Sequence, residues 1–226
     1  MMKKIGVIVA VEIKAVLSRY GQPETSESSC GFDVMKYNCK GYELLIIKSG
    51  EGEIPAAAAA QHLITKYGVD MIVNFGVVGG LTPEISKAKT CIVERVVHYQ
   101  FDLSELDPVK VGQHPGYDDI YIYPDRTFFE KALSLYPELI TVTCASGDRF
   151  VGKAEDKKKL HEDFGADICE MEAAGITLTC NRCGVPCLLL KTVSDGITGG
   201  AEEFLSEVDR SADICLDIAD KIMNNL

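Results

Sequence analysis

Two acids placed at the ends of apolar elements carry the chemistry of this sequence. Cys169-Glu170-Met171-Glu172-Ala173-Ala174-Gly175 opens a helical stretch. Leu188-Leu189-Leu190-Lys191-Thr192-Val193-Ser194-Asp195-Gly196 is an apolar run that closes on a carboxylate. One acid at a helix start and another at a strand end can be aimed at a single small molecule. The first can grip a sugar diol, and the second can donate a proton to a leaving base. Singly, each also suits an ordinary role, because acids favour first helical turns and cap the turns after strands.

The elements that must position them alternate in type. Strands are expected at 4–11, 32–38, 42–48, 70–77, 90–98, 139–146 and 186–193. Helices are expected at 12–20, 54–67, 126–136, 153–164, 170–184 and 201–224. Runs such as Met71-Ile72-Val73-Asn74-Phe75 are apolar without alternation, which marks burial on both faces. The expected fold is a three-layer αβα sandwich around a mostly parallel mixed sheet, with 32–48 as a hairpin. No linker divides residues 1–226, which predicts a single domain. In such sheets ligands bind beyond the carboxyl ends of the strands. Four junctions of that kind stand out: Ala10-Val11-Glu12, Lys48-Ser49-Gly50-Glu51-Gly52, Asn74-Phe75-Gly76-Val77-Val78-Gly79-Gly80 and Thr192-Val193-Ser194-Asp195. Their glycines allow close backbone approach or merely tight turns. None is a dinucleotide fingerprint or a P-loop. Ser146-Gly147-Asp148-Arg149-Phe150-Val151 follows another apolar strand, and Phe150 suits either a stack on a flat heterocycle or a place in the core.

Composition narrows the field further. A net charge of −11 without a basic stripe argues against nucleic acid and anionic membranes as partners. The apolar start around Ile5–Val11 is interrupted by Glu12 and reads as a buried strand rather than a signal peptide. No run approaches the ~20 apolar residues of a membrane span, so a cytoplasmic protein is expected. Nine scattered cysteines do not form a disulfide framework, and Cys180-Asn181-Arg182-Cys183 reads as plain helix cysteines. The four histidines lack paired ligand spacing, so neither metal nor cofactor is expected. His62 and His161 read as helix-surface residues, while His98 and His114 flank the irregular segment 99–125, within reach of a pocket rim. Segments of that length are functional, interfacial or disordered, and its aromatics favour a covered surface.

Taken together, these segments resemble the purine nucleoside phosphorylase/nucleosidase superfamily, and within it the 5′-methylthioadenosine/S-adenosylhomocysteine nucleosidases. The similarity spans most of the chain, from Ile5-Gly6-Val7-Ile8 through Gly76-Val77-Val78-Gly79-Gly80-Leu81, Ser146-Gly147-Asp148-Arg149-Phe150 and Glu170-Met171-Glu172 to Val193-Ser194-Asp195 and Glu203-Phe204-Leu205. The resemblance implies hydrolysis of a purine-nucleoside N-glycosidic bond. It makes Asp195, next to Ser194, the acid at purine N7. It places Glu172 and Met171 on the ribose, Phe150 and Val151 at the base, and Gly79 as a backbone contact. It also implies a homodimer in which the segment around Leu103 and Leu106 covers the partner's pocket. Several positions depart from the nucleosidases. Lys14 stands where they carry a water-positioning acid, which leaves Glu12 as the substitute. Lys191 replaces an arginine, Val77 a serine, and Glu51 an apolar residue near the 5′ substituent. Two alternatives stay open at this level, a phosphorylase using phosphate and a nucleoside-binding protein without turnover. Of the arginines, only Arg95 and Arg149 fall near a pocket, too few visible donors for phosphate.

Overall fold

The structure, a computed structural model, describes residues 2–85 and 87–225. Its elements run β1 (Lys3–Val9), α1 (Ile13–Tyr20), β2 (Thr25–Ser29), β3 (Phe32–Cys39), β4 (Tyr42–Lys48), α2 (Glu53–His62) continued by a π-helical turn (Leu63–Tyr67), β5 (Met71–Gly80), β6 (Thr90–His98), β7 (Tyr121–Ile122), α3 (Arg126–Leu135), β8 (Ile140–Ser146), α4 (Ala154–Phe164), β9 (Ile168–Glu170), α5 (Ala173–Cys183), β10 (Cys187–Asp195) and α6 (Gly200–Met223). The expected α/β architecture is present, with helices covering a central mixed sheet.

Apolar patterning explains the inner strands. Every residue of β10 is buried, as are Val73, Phe75 and their neighbours in β5. Alternate side chains of these strands enter two separate cores. One includes Ile8, Ile72, Leu189 and Ala173, and the other Val7, Val73, Leu190 and Leu216. Such two-sided burial requires helices on both faces, with α2 and α5 packed against each other on one side and α6 against β10 on the other.

Strand order across the sheet is β10-β6-β8-β9-β5-β1-β4-β3-β2, and β10 also pairs with β5. Strands β5, β10, β6, β8 and β9 therefore form a closed ring, and β1, β4, β3 and β2 extend from it as a wing. The 32–48 hairpin is β3–β4, antiparallel with Val34 opposite Ile47.

Three differences from expectation have physical causes. Strand β2, Thr-Ser-Glu-Ser-Ser, is a polar edge that has no apolar pattern to reveal it. Strand β9 is only three residues long, so Glu170 ends a strand and helix α5 begins at Ala173 rather than 170. Within 99–125 the chain turns repeatedly before the two residues of β7, and Asp125 then caps α3 by accepting from the Phe128 N–H at 2.8 Å.

Candidate active site

Four ring strands end at one place. Gly79 of β5 pairs with Asp195 of β10 and with Cys169 of β9, and Ser146 of β8 pairs with Glu170 of β9. The cavity at these ends has a volume of about 260 Å³, just below the range of about 300–1,000 Å³ for drug-sized ligands. It suits a compact molecule. Of the residues singled out above, Glu12, Glu51, Gly79, Phe150, Val151, Met171, Glu172 and Asp195 all line it, together with Val77, Arg149, Glu170 and Phe204. Ser194 lies just behind, its hydroxyl donating to Asp195 Oδ1 at 2.9 Å.

Asp195 is 2% exposed. Its Oδ2 lies 2.5 Å from the Nζ of Lys157, which is fully buried and also donates to the Gly196 carbonyl at 2.6 Å. Burial pushes the Asp195 carboxyl above its ordinary value, and the Lys157 ammonium and the Ser194 hydroxyl pull it partly back. Such an acid keeps its proton more readily than an exposed Asp and has a cation ready to steady the anion left after donation. Gly79 makes the fit possible, because a Cβ there would stand 3.2 Å from Lys157 Nζ and 3.3 Å from Asp195 Oδ2.

Lys157 was not legible as a functional residue. It sits in Glu155-Asp156-Lys157-Lys158-Lys159, a run that reads as a solvated face. One signal existed: Lys157 falls three residues before Leu160 on the buried stripe of α4, and those two are the buried residues of that helix. A cation on an apolar stripe needs a partner.

Glu12 lines the same cavity. Strand β1 stops at Val9, and the carboxylate of Glu12 folds back to accept from the N–H groups of Ala10 and Val11 at 3.0 and 2.9 Å, and from that of Val77 at 3.0 Å. Glycine at 76 leaves it room, since a Cβ there would lie 2.8 Å from Glu12 Oε1. Gly76→Ala is expected to displace this carboxylate and to cost about 1–3 kcal/mol of stability. Urea unfolding of the variant measures the loss, and an unchanged midpoint would contradict the packing described. Lys14, the positional match to the water-holding acid, points away and pairs with Asp209 at 3.0 Å on the surface.

Beneath the cavity lies a buried acidic network. Glu170 accepts from Lys191 Nζ at 3.0 Å, from the Ala173 N–H at 2.9 Å and from the Ser146 hydroxyl at 2.6 Å. Burial opposes its charge, but Lys191 and these hydrogen bonds outweigh burial and hold it below the ordinary value. Glu172 accepts from the Gly52 N–H at 2.9 Å. Burial, reinforced by the charge of Glu170, pushes Glu172 up to about 8. In its protonated form Glu172 can present both a donor and an acceptor to the cavity.

Other expectations are corrected. Arg95 lies over the Tyr121 ring and donates to Thr143, away from the cavity lining. His98 and His114 contact each other at 3.1 Å, and His114 stacks on Phe101, so they fasten the 99–120 segment instead of reaching the rim. His62 is buried against Phe32 and Tyr67 rather than on a helix surface. Among the described residues no group of three or more His, Cys, Asp or Glu is placed to hold a metal.

The family follows from the whole chain. A model of the phosphorylase superfamily matches residues 4–224. The chain belongs to this superfamily. It is 31% identical to the aminodeoxyfutalosine nucleosidase of Campylobacter jejuni over 192 residues, which is 83% of each chain. Identity to the 5′-methylthioadenosine/S-adenosylhomocysteine nucleosidase of Shewanella loihica is 28%, over 85% of this chain and 86% of that one. A crystal structure of the Helicobacter pylori 5′-methylthioadenosine/S-adenosylhomocysteine nucleosidase, complexed with a pyrrolopyrimidine linked to a pyrrolidinol bearing a propynylthio-methyl group, superposes with a TM-score of 0.94. There the identity is 25%, over 100% of this chain and 99% of the other.

Proposed function

We propose that this member of the superfamily is an N-glycosyl hydrolase that releases the base from a purine nucleoside of the 5′-methylthioadenosine/S-adenosylhomocysteine class. The observation that carries the reading is that Asp195, backed by the buried Lys157, lines one small cavity together with Glu172 and Glu12. Phe150, half exposed and edge-on to Phe204 at 5.4 Å between centroids, offers a wall for the base. Val151 and Gly79 line the same cavity.

In this reaction Asp195 gives its proton to purine N7 as the C1′–N9 bond breaks and its electron pair passes to the base. Lys157 then steadies the Asp195 carboxylate. Positive charge builds on the sugar, where Glu172 and Met171 hold the ribose and the ionised Glu170 contributes negative field. A water oriented by Glu12 adds to C1′ and loses a proton, so the products are free base and free sugar.

Lining charge favours water over phosphate as the nucleophile. Five acids, Glu12, Glu51, Glu170, Glu172 and Asp195, face the cavity with one cation, Arg149, which is already paired with Asp156. Apart from Arg149 the lining offers a phosphate dianion no cation, and the ionised Glu170 stands against it. Base release from 5′-methylthioadenosine, S-adenosylhomocysteine, aminodeoxyfutalosine, adenosine and inosine is expected to proceed at the same rate with and without phosphate. A phosphate requirement would establish the phosphorylase alternative, and binding without release from any of them would establish a binding protein. Glu51, exposed in the turn before α2, lines the cavity, so a substrate with a donor group at its 5′ end would find an acceptor there.

The surface supports a homodimer. Leu106, Ile54 and Leu205 are 79, 79 and 73% exposed. Ile54 follows the Gly52–Glu53 contact with the site, and Leu205 follows the cavity-lining Phe204. A second copy covering these side chains completes the pocket mouth. We read the chain as one domain; no helix among the described residues is long and apolar enough to cross a membrane.

A further inference from the structure

Proton accounting around Ser146 singles out a residue that the mechanism does not use. The Ser146 hydroxyl accepts from the Ala174 N–H at 3.0 Å. It also lies 2.6 Å from Glu170 Oε1 and 2.5 Å from Glu53 Oε1. A hydroxyl carries one proton and donates once. Two oxygen–oxygen contacts this short need two protons, so one of the carboxyl groups supplies its own. Glu170 is held as an anion by Lys191 and by backbone N–H groups. The remaining proton belongs to Glu53.

We propose that Glu53 is a neutral carboxylic acid that positions Glu172 for the sugar. Glu53 is the first residue of α2 and is 6% exposed. Its Oε1–H donates to Ser146 at the end of β8, and its Oε2 accepts from the Gly175 N–H in the first turn of α5 at 2.5 Å. It thereby pins the start of α2 to the start of α5. Glu172 is the residue just before α5, and its carboxylate is held by the N–H of Gly52, the residue just before Glu53. The two helix ends fit closely, because a Cβ at Gly175 would meet the Glu53 carbonyl oxygen at 2.5 Å. An ionised Glu53 would stand as a second buried negative charge beside the ionised Glu170 and would part the helix ends.

The charged groups around Glu53 act consistently. Glu170 and Glu172 lie on the β9–α5 side, with Lys191 of β10 behind them. Asp148 of the β8–α4 connection accepts from the Glu53 N–H at 2.7 Å. Burial, then the charge of Glu170, pushes the Glu53 carboxyl up to about 8, against the pull of the Gly175 N–H. A carboxyl raised on folding binds its proton more tightly in the native chain than in the unfolded one. Its stabilising contribution is complete below about pH 4.5 and is lost as pH rises towards about 8.

Glu53→Gln mimics the neutral acid, with its amide N–H donating to Ser146 and its carbonyl accepting from Gly175, whereas Glu53→Ala removes both contacts. In the full-length protein, the fall in Tm between pH 5 and 8 is expected to be at least about 3 °C smaller in E53Q than in wild type. A residual slope from Glu172 remains. Resting on the hydrolase reading, E53Q is expected to keep KM within threefold at pH 6, while E53A raises it at least tenfold. A Tm slope in E53Q equal to that of wild type, or E53Q as damaging as E53A, overturns the proposal. Should E53A fail to fold, E53Q alone decides. Absence of base release from wild type would reject the hydrolase reading, and the Tm comparison would still settle the state of Glu53.

Discussion

Asp195→Asn is expected to lower the rate of base release by about 10²–10⁴-fold, the range associated with a positioned general acid. The variant should fold, because the asparagine oxygen and the Gly196 carbonyl still accept from the buried Lys157 Nζ. Substrate binding should persist, since Glu172, Met171 and Phe150 are untouched. Loss of the acid therefore appears in kcat far more than in KM. The wild-type rate is expected to decline on the alkaline side, as Asp195 gives up the proton that burial helps it keep. Chromatographic measurement of free base over a pH series tests both points. A variant within tenfold of wild type would remove Asp195 from the role assigned to it.

Lys157→Met carries the second large effect. Methionine fills the space of the lysine stem but leaves Asp195 with burial and no ammonium. Breaking a buried pair by removing one partner costs about 3–5 kcal/mol. Asp195 can escape part of that cost by taking up a proton, so the direction of the pH dependence is fixed. With its carboxyl driven further up, the variant is least destabilised at acid pH and loses stability as pH rises. Activity should also fall, because the anion formed on proton donation is no longer steadied. Urea unfolding at pH 5 and pH 8 measures the difference. A destabilisation that is equal at both values, or larger at pH 5, would contradict the pairing.

Much of this site was legible from residue types in order. Asp195 ends an unbroken apolar strand, Glu172 precedes a helix, and glycines at 76 and 79 mark backbone that must come close to something. Patterning alone supplied the doubly buried strands and hence the layers. It did not supply the ring, because closure depends on β10 pairing with both β5 and β6, and no local pattern encodes a second neighbour. Nor did it show β2, whose five residues are polar, or β9, whose three residues are too few for a period. Lys157 and Glu53 were hidden for a related reason. Each is a charged residue type in a helix, where exposure is the ordinary expectation, and only the tertiary partner of each, Asp195 or Ser146, reveals its burial. Glu12 lay between these cases. Register matched Lys14 to the water-holding acid, and the early end of β1 at Val9 is what brings Glu12 inside.

The closed ring of strands has a consequence for how such a protein changes its diet. Asp195, Gly79, Ser146 and Glu170 ride on strands hydrogen-bonded along both sides, where no edge is free to slip. Glu51, Arg149 and Phe204 project instead from a loop, a turn and the opening of a helix. On the proposed reading, the proton donor is thus fixed to a rigid frame, while three residues at the cavity stand on connections that tolerate replacement more readily.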